Sequence, residues 1–374
     1  MAKKASWERV NYYSSQKGDD ELRPYGWAGK HWSSAVSVEH LATRTSAGLF
    51  DESSFAKILV SGEQAAEFLN FACANDVVKG VGRTVYTQAL NSRGGIESDF
   101  TVTQIGDAVF FIVTGTAFGG HDKGWLEKLA RENNFTVHIS DVTESLACFG
   151  IWGPRSREIL QSVTTEDLSH EKFPFMRSRE ILIEGITVRA TRITYVGELG
   201  WELYLPVEQG ELIWKSILEA GKNFGLEVCG YKAIESLRLE KGYRAWSGEI
   251  STETNPWEAG LGFAISSTKE NFFGHDSLVQ AKESQSRKLV VITFDDIRRV
   301  PLGNEPIRIG GKIVGRVKSG GQGYSIGKAI AYAYLPIDHS APKTRIEVEF
   351  FGQWVEGRIE SEPLFDPTNQ RIRS

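Results

Sequence analysis

Two short segments of this 374-residue chain carry carboxylates in patterns that suit proton-transfer chemistry. The first, LNSRGGIESDFTVT at residues 90–103, sets Glu97, Ser98 and Asp99 directly after a Gly-Gly pair that predicts a tight hairpin. Regular alternation along the next strand would place Glu97 and Asp99 on one face and Ser98 on the other. A carboxylate here is either a solvated turn charge or a group at a cleft beside a ligand, where it can accept a proton.

The second segment is TYVGELGWELY at residues 194–204. Tyr195 and Glu202 flank a predicted turn, and Glu202 lies between Trp201 and Leu203 on the strand that follows. A carboxylate in so apolar a stretch needs a partner or a ligand, because burying it alone is costly. The alternative to a ligand is an ion pair with a neighbouring arginine.

Other common reaction centres have no signature in the sequence. The seven histidines form no HxxH or HxxxH pair, and neither a Cys/His cluster, a Walker motif nor a GxSxG elbow is present. The glycine-rich run GGQGYSIG at 320–327 lies between late strands, which is typical of a hairpin loop rather than of a phosphate site. We therefore expect no metal ion and no flavin or nicotinamide site within this sequence.

Composition indicates an ordinary globular protein of two or three domain-sized units, with 41% hydrophobic and 24% charged residues. The net charge of −5 gives no electrostatic reason to expect nucleic acid or an anionic membrane as a partner.

No targeting or membrane signal is visible. No apolar run approaches the roughly 20 residues that cross a bilayer, and the first residues lack the apolar centre of a signal peptide. Cys73, Cys148 and Cys229 are far apart, so we interpret them as reduced, buried thiols. These features predict a cytoplasmic location.

An internal duplication sets the fold prediction. Residues 58–77 and 149–168 each read as a strand, a turning glycine, an amphipathic helix and an aspartate, and Gly62 and Gly153 are 91 positions apart. The same offset relates five further pairs: Asp76 and Asp167, Gly106 and Gly197, Leu126 and Ile217, Phe135 and Leu226, and Val137 and Val228.

Each repeat reads as strand, helix, strand, strand, helix, strand, which predicts an α+β fold of two ferredoxin-like units with a cleft between their sheets. After about residue 284 the sequence changes to short alternating strands separated by Gly, Pro and Asn, typical of a small antiparallel barrel or jelly roll. The polar stretch at 281–288 is the expected boundary. The predicted domains are therefore residues 1–284, with two related subdomains, and 285–374.

Taken together, these segments and three others resemble the folate-binding aminomethyltransferase family. That family includes the glycine-cleavage T-protein and the C-terminal halves of the dimethylglycine and sarcosine dehydrogenases. The further segments are SLRLEKGYRAW (236–246), NPWEAGLGFAI (255–265) and GRVKSGG (315–321), in the order of the family. The resemblance covers nearly the whole chain and implies two duplicated units followed by a barrel.

Roles for individual residues follow from the resemblance. It implies tetrahydrofolate as the cofactor and Asp99 as the catalytic residue. The residues that it implies for folate binding are Tyr86, Tyr195, Glu202, Arg238 and Trp246. The residue types suit the chemistry, because a carboxylate can accept two adjacent N–H donors of a pteridine and aromatic rings can sandwich it.

Departures from the T-protein pattern favour the dehydrogenase branch. The stretch Ser54–Lys57 reads SFAK where T-proteins usually read HMGE, and Ile234 stands at a common arginine. Ala56, where glycine is usual, and Ile234 put a lipoyl-protein contact in doubt. Since no flavin-binding half is visible, we expect a separate flavin-dependent dehydrogenase to supply a one-carbon unit from a small methylated substrate, giving 5,10-methylenetetrahydrofolate.

Two other functions stay open. The protein is either a direct methyltransferase, which moves a methyl group from an N-, O- or S-methyl donor and gives 5-methyltetrahydrofolate, or a folate-binding subunit without catalysis. Phe55, Trp246 and Trp257 suit a methylammonium or aryl substrate, although such residues are often core. The aromatic, polar segment 11–32 either caps the cleft or contacts a partner.

Overall fold

The structure is a computed structural model that describes residues 1–13, 20–269 and 271–374. The N-terminal part forms a small hairpin, and then a helix and a strand that join a sheet formed later in the chain. These elements are β1 (Ala2–Lys4), β2 (Trp7–Arg9), α1 (Ala35–Thr45) and β3 (Ala47–Asp51).

The first α+β unit is an antiparallel sheet with two helices on one face. Its elements are β4 (Ala56–Ser61), α2 (Ala65–Ala72), β5 (Thr84–Leu90), β6 (Ile96–Gly106), β7 (Val109–Thr114), α3 (Gly119–Glu132) and β8 (His138–Asp141). The strands pair in the order β5-β6-β7-β4-β8. Phe68 and Leu126 of the helices pack with Phe100 and Val102 of the sheet, so this face holds the core of the unit.

The second unit repeats this plan. Its elements are β9 (Leu146–Trp152), α4 (Ser156–Gln161), β10 (Ser178–Ile183), β11 (Ile186–Thr191), β12 (Gly200–Pro206), α5 (Gly210–Gly221) and β13 (Leu226–Cys229). The sheet order is β10-β11-β12-β9-β3-β13, so the N-terminal strand β3 is inserted where the first unit has β8 directly beside β4. The insertion gives the second sheet six strands.

The predicted duplication is confirmed. Gly62 and Gly153 occupy equivalent turns between strand and helix, with φ of +123° and +139°, which disfavours a side chain at either place. Each unit has one strand more than predicted, β5 and β10. The last strand of the first unit begins at His138, so Phe135 and Val137 precede it, whereas their partners in the repeat lie in β13.

The two sheets face each other through the surfaces that their helices leave free. Phe111 and Val113 of β7 pack there against Cys148 of β9 and Tyr204 of β12. These residues alternate with neighbours that point into the helix-covered cores, as the period of two in a strand requires. The cleft predicted between the units therefore lies in this inter-sheet layer.

The remaining elements close the cleft and form the barrel. They are α6 (Tyr231–Lys241), α7 (His275–Glu283), β14 (Arg287–Phe294), β15 (Pro306–Ile309), β16 (Lys312–Gly323), β17 (Lys328–Pro336), β18 (Arg345–Phe350), β19 (Gln353–Glu360) and α8 (Gln370–Arg373). The six strands close as a barrel in the order β14-β17-β16-β15-β18-β19. The first half of the run 320–327 belongs to β16 and the second half forms the turn into β17, which agrees with the hairpin prediction.

The three cysteines are buried and free, as predicted. Within the described parts of the chain, no helix has the length and apolar character to cross a membrane.

Candidate functional site

A cavity of about 1340 Å³ opens between the two sheets. Strand β6 of the first unit and strand β12 of the second provide opposite walls, and α6 with the loop after it closes the space toward the barrel. Asp99, Thr101 and Glu202 are wall residues of the two sheets, and Tyr243 and Trp246 come from the loop.

Asp99 lies on β6 and reaches the cavity from the inner face of the first sheet. Its cross-strand partner is Gln88 of β5, whose Nε2 donates a hydrogen bond of 2.9 Å to Oδ1 of Asp99. Burial raises the pKa of Asp99 to about 6; hydrogen bonding from Gln88 and Tyr86 opposes this shift, and the charge of Asp122 adds to it. The carboxyl group is thus an oriented base that is mostly ionised at neutral pH.

Glu97 does not share the face of Asp99, so that prediction is wrong. The β5–β6 register shifts at this point, with Ile96 opposite Leu90 and Ser98 opposite the preceding residue, and Glu97 is the extra residue of a bulge. Oε1 of Glu97 lies 3.1 Å from Nε2 of His121, on the α3 side of the sheet. Alternation fails here because a bulge adds one residue to the strand.

Glu202 lies on β12, on the wall opposite β6. The hydroxyl of Tyr204 donates a hydrogen bond to Oε2 of Glu202, and Lys57 is the nearby cation. Burial raises the pKa of Glu202 to about 7, against the lowering effects of Tyr204 and Lys57. An ion pair with a neighbouring arginine was the alternative to a ligand for Glu202. Among the described residues no arginine forms one.

The two predicted tyrosines form parallel aromatic pairs on the cavity wall. Tyr86 lies beside Asp99 and stacks on Phe263, with ring centres 6.1 Å apart and planes inclined by 25°. Tyr195 stacks on Tyr243 at 6.0 Å and 12°, and its hydroxyl donates to the carbonyl of Arg244 at 2.8 Å. Such flat, partly polar walls suit a planar heterocycle.

The tryptophans differ in position. Trp246 lines the cavity, donates from Nε1 to the carbonyl of Ile96 at 3.2 Å and packs on Phe118 with ring centres 4.7 Å apart. Trp257 is absent from the wall, since its Nε1 donates to the carbonyl of Leu278 on α7. Phe55 does line the cavity.

Arg238 does not line the cavity, although the resemblance implied a place for it in the site. It is 2% exposed and bridges two carboxylates of the surrounding structure. One guanidinium nitrogen donates to Glu249 at 2.8 Å and to the carbonyl of Tyr243 at 3.1 Å, and the other donates to Glu235, which does lie on the wall. Arg238 therefore supports the wall from behind and fixes the loop that carries Tyr243.

Three residues near the site, Gln88, Phe118 and Tyr231, have no signature in the sequence. Gln88 lies two residues after Tyr86, on the same face of β5, but its place beside Asp99 depends on the pairing register. Tyr231 begins α6, and its backbone N–H donates to the carbonyl of Val10. The start of α6 thus ties the N-terminal residues to the cavity.

The segment 11–32 divides between two surroundings, and its residues 14–19 lie outside the described part of the chain. Asn11 reaches the cavity wall. Farther along, the backbone N–H of Tyr25 donates to the carbonyl of Arg298, and Nε1 of Trp32 donates to Oε1 of Gln322. Residues 20–32 therefore pack on the barrel.

Comparison with known families decides the relationship. The family described as the GCVT N-terminal domain matches residues 1–269, and the glycine cleavage T-protein C-terminal barrel domain matches residues 287–366. The chain belongs to the glycine-cleavage T-protein family. Its fold is that of a solved relative, the glycine cleavage system aminomethyltransferase T from Bartonella henselae, with a TM-score of 0.81, 27% identity, and coverage of 89% of this chain and 90% of the other.

Curated relatives in this family are of two lengths. Rat (Rattus norvegicus) dimethylglycine dehydrogenase is 36% identical over 99% of this chain, and 4-methylaminobutanoate oxidase (formaldehyde-forming) from Paenarthrobacter nicotinovorans is 33% identical over 98%. The chain spans 43% and 44% of those two proteins. The aminomethyltransferase of Symbiobacterium thermophilum is 34% identical and matches end to end, over 92% of this chain and 93% of its own length.

Proposed function

We propose that this protein transfers a one-carbon unit to tetrahydrofolate, forming 5,10-methylenetetrahydrofolate, with Asp99 as the general base. The observation that carries the proposal is the position of Asp99, an oriented carboxylate inside a cavity shared by two sheets of a T-protein fold. Membership of the aminomethyltransferase family supports folate as the one-carbon acceptor.

The wall residues suit a folate. Glu202 presents a buried carboxylate, an acceptor for the paired N–H donors of a pteridine edge, and the aromatic pairs of Tyr86 and Tyr195 provide flat contact surfaces. The cavity volume of about 1340 Å³ exceeds the common range of roughly 300–1,000 Å³ for one small ligand. This leaves space for a second, one-carbon-bearing molecule.

Each residue of the site has a distinct task in this proposal. When bound, tetrahydrofolate would supply the two nitrogens that bond to the carbon, and the demethylated amine, or water from formaldehyde, would be the leaving group. Asp99 accepts the proton that one of these nitrogens loses, and its negative charge stabilises positive charge on the incoming unit. Gln88 holds the carboxylate in orientation, and Glu202 fixes the far end of the ligand.

The source of the one-carbon unit is proposed to be an N-methyl amine that a dehydrogenase has oxidised. The names of two relatives, dimethylglycine dehydrogenase and the formaldehyde-forming 4-methylaminobutanoate oxidase, describe oxidations of such amines. We propose that a flavin-dependent dehydrogenase supplies the oxidised unit and that this protein traps it on the folate.

The test is to incubate the purified protein with tetrahydrofolate and a panel of methylated amines, with and without an N-methyl amine dehydrogenase, and to identify the folate products by mass. The proposal expects 5,10-methylenetetrahydrofolate only when the dehydrogenase is present, and faster than with the Asp99→Asn variant. That variant corrects for the uncatalysed reaction of free formaldehyde with the folate.

Other outcomes reject the proposal in distinguishable ways. Formation of 5-methyltetrahydrofolate without a dehydrogenase would identify a direct methyltransferase. Unchanged turnover in Asp99→Asn, with normal folate binding, would indicate a folate-binding subunit without catalysis. Absence of folate binding would reject the proposal altogether.

A further inference from the structure

Glu52 is a buried acid that the proposed reaction does not use. It follows β3 directly and has no exposed surface. Within the described chain, neither carboxyl oxygen of Glu52 has a hydrogen-bond partner. An ionised carboxylate without a partner in such a place is very unfavourable, so burial favours the neutral acid, whose hydroxyl still needs an acceptor.

The position of Gly150 shows where this acid points. Gly150 lies on β9 between Phe50 of β3 and Glu202 of β12, and it pairs with both. A Cβ added to Gly150 would lie 2.4 Å from the ring of Trp152 and 3.0 Å from Oε2 of Glu52. The Trp152 ring and the acid therefore share the space left by the missing side chain. Since residues directly opposite across strands have Cβ atoms roughly 5 Å apart, the Glu202 carboxylate is within side-chain reach.

The groups around Glu52 and Glu202 favour one negative charge on these two carboxyl groups rather than two. The titratable groups that face Glu52, from β3, β4, β9, β12 and α6, are Asp51, Lys57, Cys148, Glu202, Tyr204 and Tyr231. Lys57 is the cation among them, and its ammonium donates to the carbonyls of Ser53 at 2.8 Å and Phe55 at 2.9 Å. Burial first, and then the charge of Glu202, raise the pKa of Glu52 well above its ordinary value.

We propose that Glu52 is a positioning residue that donates a hydrogen bond, as a neutral acid, to the Glu202 carboxylate and so keeps it ionised and turned toward the folate. The inference rests on the proposed function, because Glu202 is the residue assigned to the pteridine. One proton on two carboxyl groups leaves one negative charge near Lys57, a cation that also faces Asp51 and Asp141. Glu202 then presents its carboxylate to the ligand while Glu52 remains behind it.

The protonation of Glu52 can be tested without any ligand. Infrared spectroscopy of the intact wild-type protein at pH 8 should show the carbonyl band of a protonated carboxylic acid, and Glu52→Gln should lack it. In Glu202→Gln the same band should disappear at a lower pH than in the wild type, since the neighbouring charge has gone. A wild-type protein without the band, or an unchanged band in Glu52→Gln, would refute the inference.

The effect on Glu202 is tested by the pH dependence of tetrahydrofolate binding. Binding requires ionised Glu202, so affinity falls as the pH drops through its pKa of about 7. Glu52→Leu keeps the volume but removes the donor, which should move the midpoint upward by about one pH unit. Glu52→Gln retains an N–H donor and serves as the matched control, with an unchanged midpoint.

The direction of the shift separates the competing explanations. If Glu52 were ionised, Glu52→Leu would remove a repelling charge and move the midpoint downward, and a role in packing alone would leave it unchanged; both results contradict the inference. A wild-type protein that binds no tetrahydrofolate at any pH would reject the proposed function, and the infrared experiment would still decide the state of Glu52.

Discussion

Replacing Gln88 by leucine tests how the protein controls its proposed base. The side chain is fully buried, and its Nε2 is the donor to Oδ1 of Asp99 at 2.9 Å. Its own Oε1 has no hydrogen-bond partner in the described structure, so leucine also removes an unsatisfied carbonyl. The substitution should therefore change the ionisation of Asp99 much more than it changes the free energy of unfolding.

The size of the effect follows from the loss of one donor to a charged group. Such a hydrogen bond stabilises the ionised form by about 1.5–3 kcal/mol, which corresponds to roughly one to two pKa units. The pKa of Asp99, about 6 in the wild type, should rise by that amount because the donor favours the carboxylate. Asp99 acts as a base, so the rate at pH 7 should fall roughly twofold to tenfold and recover at higher pH.

The assay is the rate of product formation at saturating tetrahydrofolate from pH 5.5 to 9.5, fitted for the midpoint of its acid limb. Thr103→Val is the matched control, because it removes the 2.8 Å hydrogen bond between Thr84 and Thr103, also between β5 and β6, without contact to Asp99. It should leave the midpoint unchanged. An unshifted midpoint in Gln88→Leu, in a folded protein, would refute the assignment of Asp99 as the titrating base.

Further predictions concern stability and binding. Gly153→Ala should destabilise the protein by more than about 3 kcal/mol and Gly62→Ala by about 1–2 kcal/mol in chemical unfolding, although the two glycines are equivalent in the repeat. The reason is that β3 is inserted beside Gly153, where a Cβ would lie 2.4 Å from the carbonyl of Ser46, while at Gly62 the nearest atom is 3.4 Å away. Glu202→Gln should weaken tetrahydrofolate binding at pH 8 by roughly 30-fold or more, measured by calorimetry, and abolish the loss of affinity below pH 7. Equal costs of the two glycine substitutions would contradict the first explanation. Binding of tetrahydrofolate to Glu202→Gln that still depends on pH would contradict the second.

The overall fold was largely predictable from the sequence because the same order of strands, turning glycines and helices occurs twice in the chain. Gly62 and Gly153 mark equivalent turns whose positive φ requires glycine, so their spacing reports the architecture directly. The strands β5 and β10 escaped the prediction. In β5, Tyr86 lines the cavity and Gln88 is buried beside Asp99, so the usual alternation of apolar and polar residues is blurred.

Pairing register and long-range packing limited the prediction of the site. The bulge at Glu97 and the contact between Gln88 and Asp99 depend on which residues oppose each other across β5 and β6. Arg238 shows the same limit, since the sequence does not tell that its guanidinium, on α6, pairs with Glu235 and Glu249 behind the cavity wall. The boundary predicted between residues 284 and 285 and the folate-binding roles stay predictions.

The most direct test of the central claim compares the wild type with Asp99→Asn. The two rates of 5,10-methylenetetrahydrofolate formation are measured in a single turnover with bound tetrahydrofolate and a dehydrogenase-generated one-carbon unit. Removal of a general base should slow the reaction by at least about 100-fold, while the dissociation constant for tetrahydrofolate changes by less than about threefold. Equal rates, or a loss of rate explained entirely by weaker folate binding, would contradict the role assigned to Asp99.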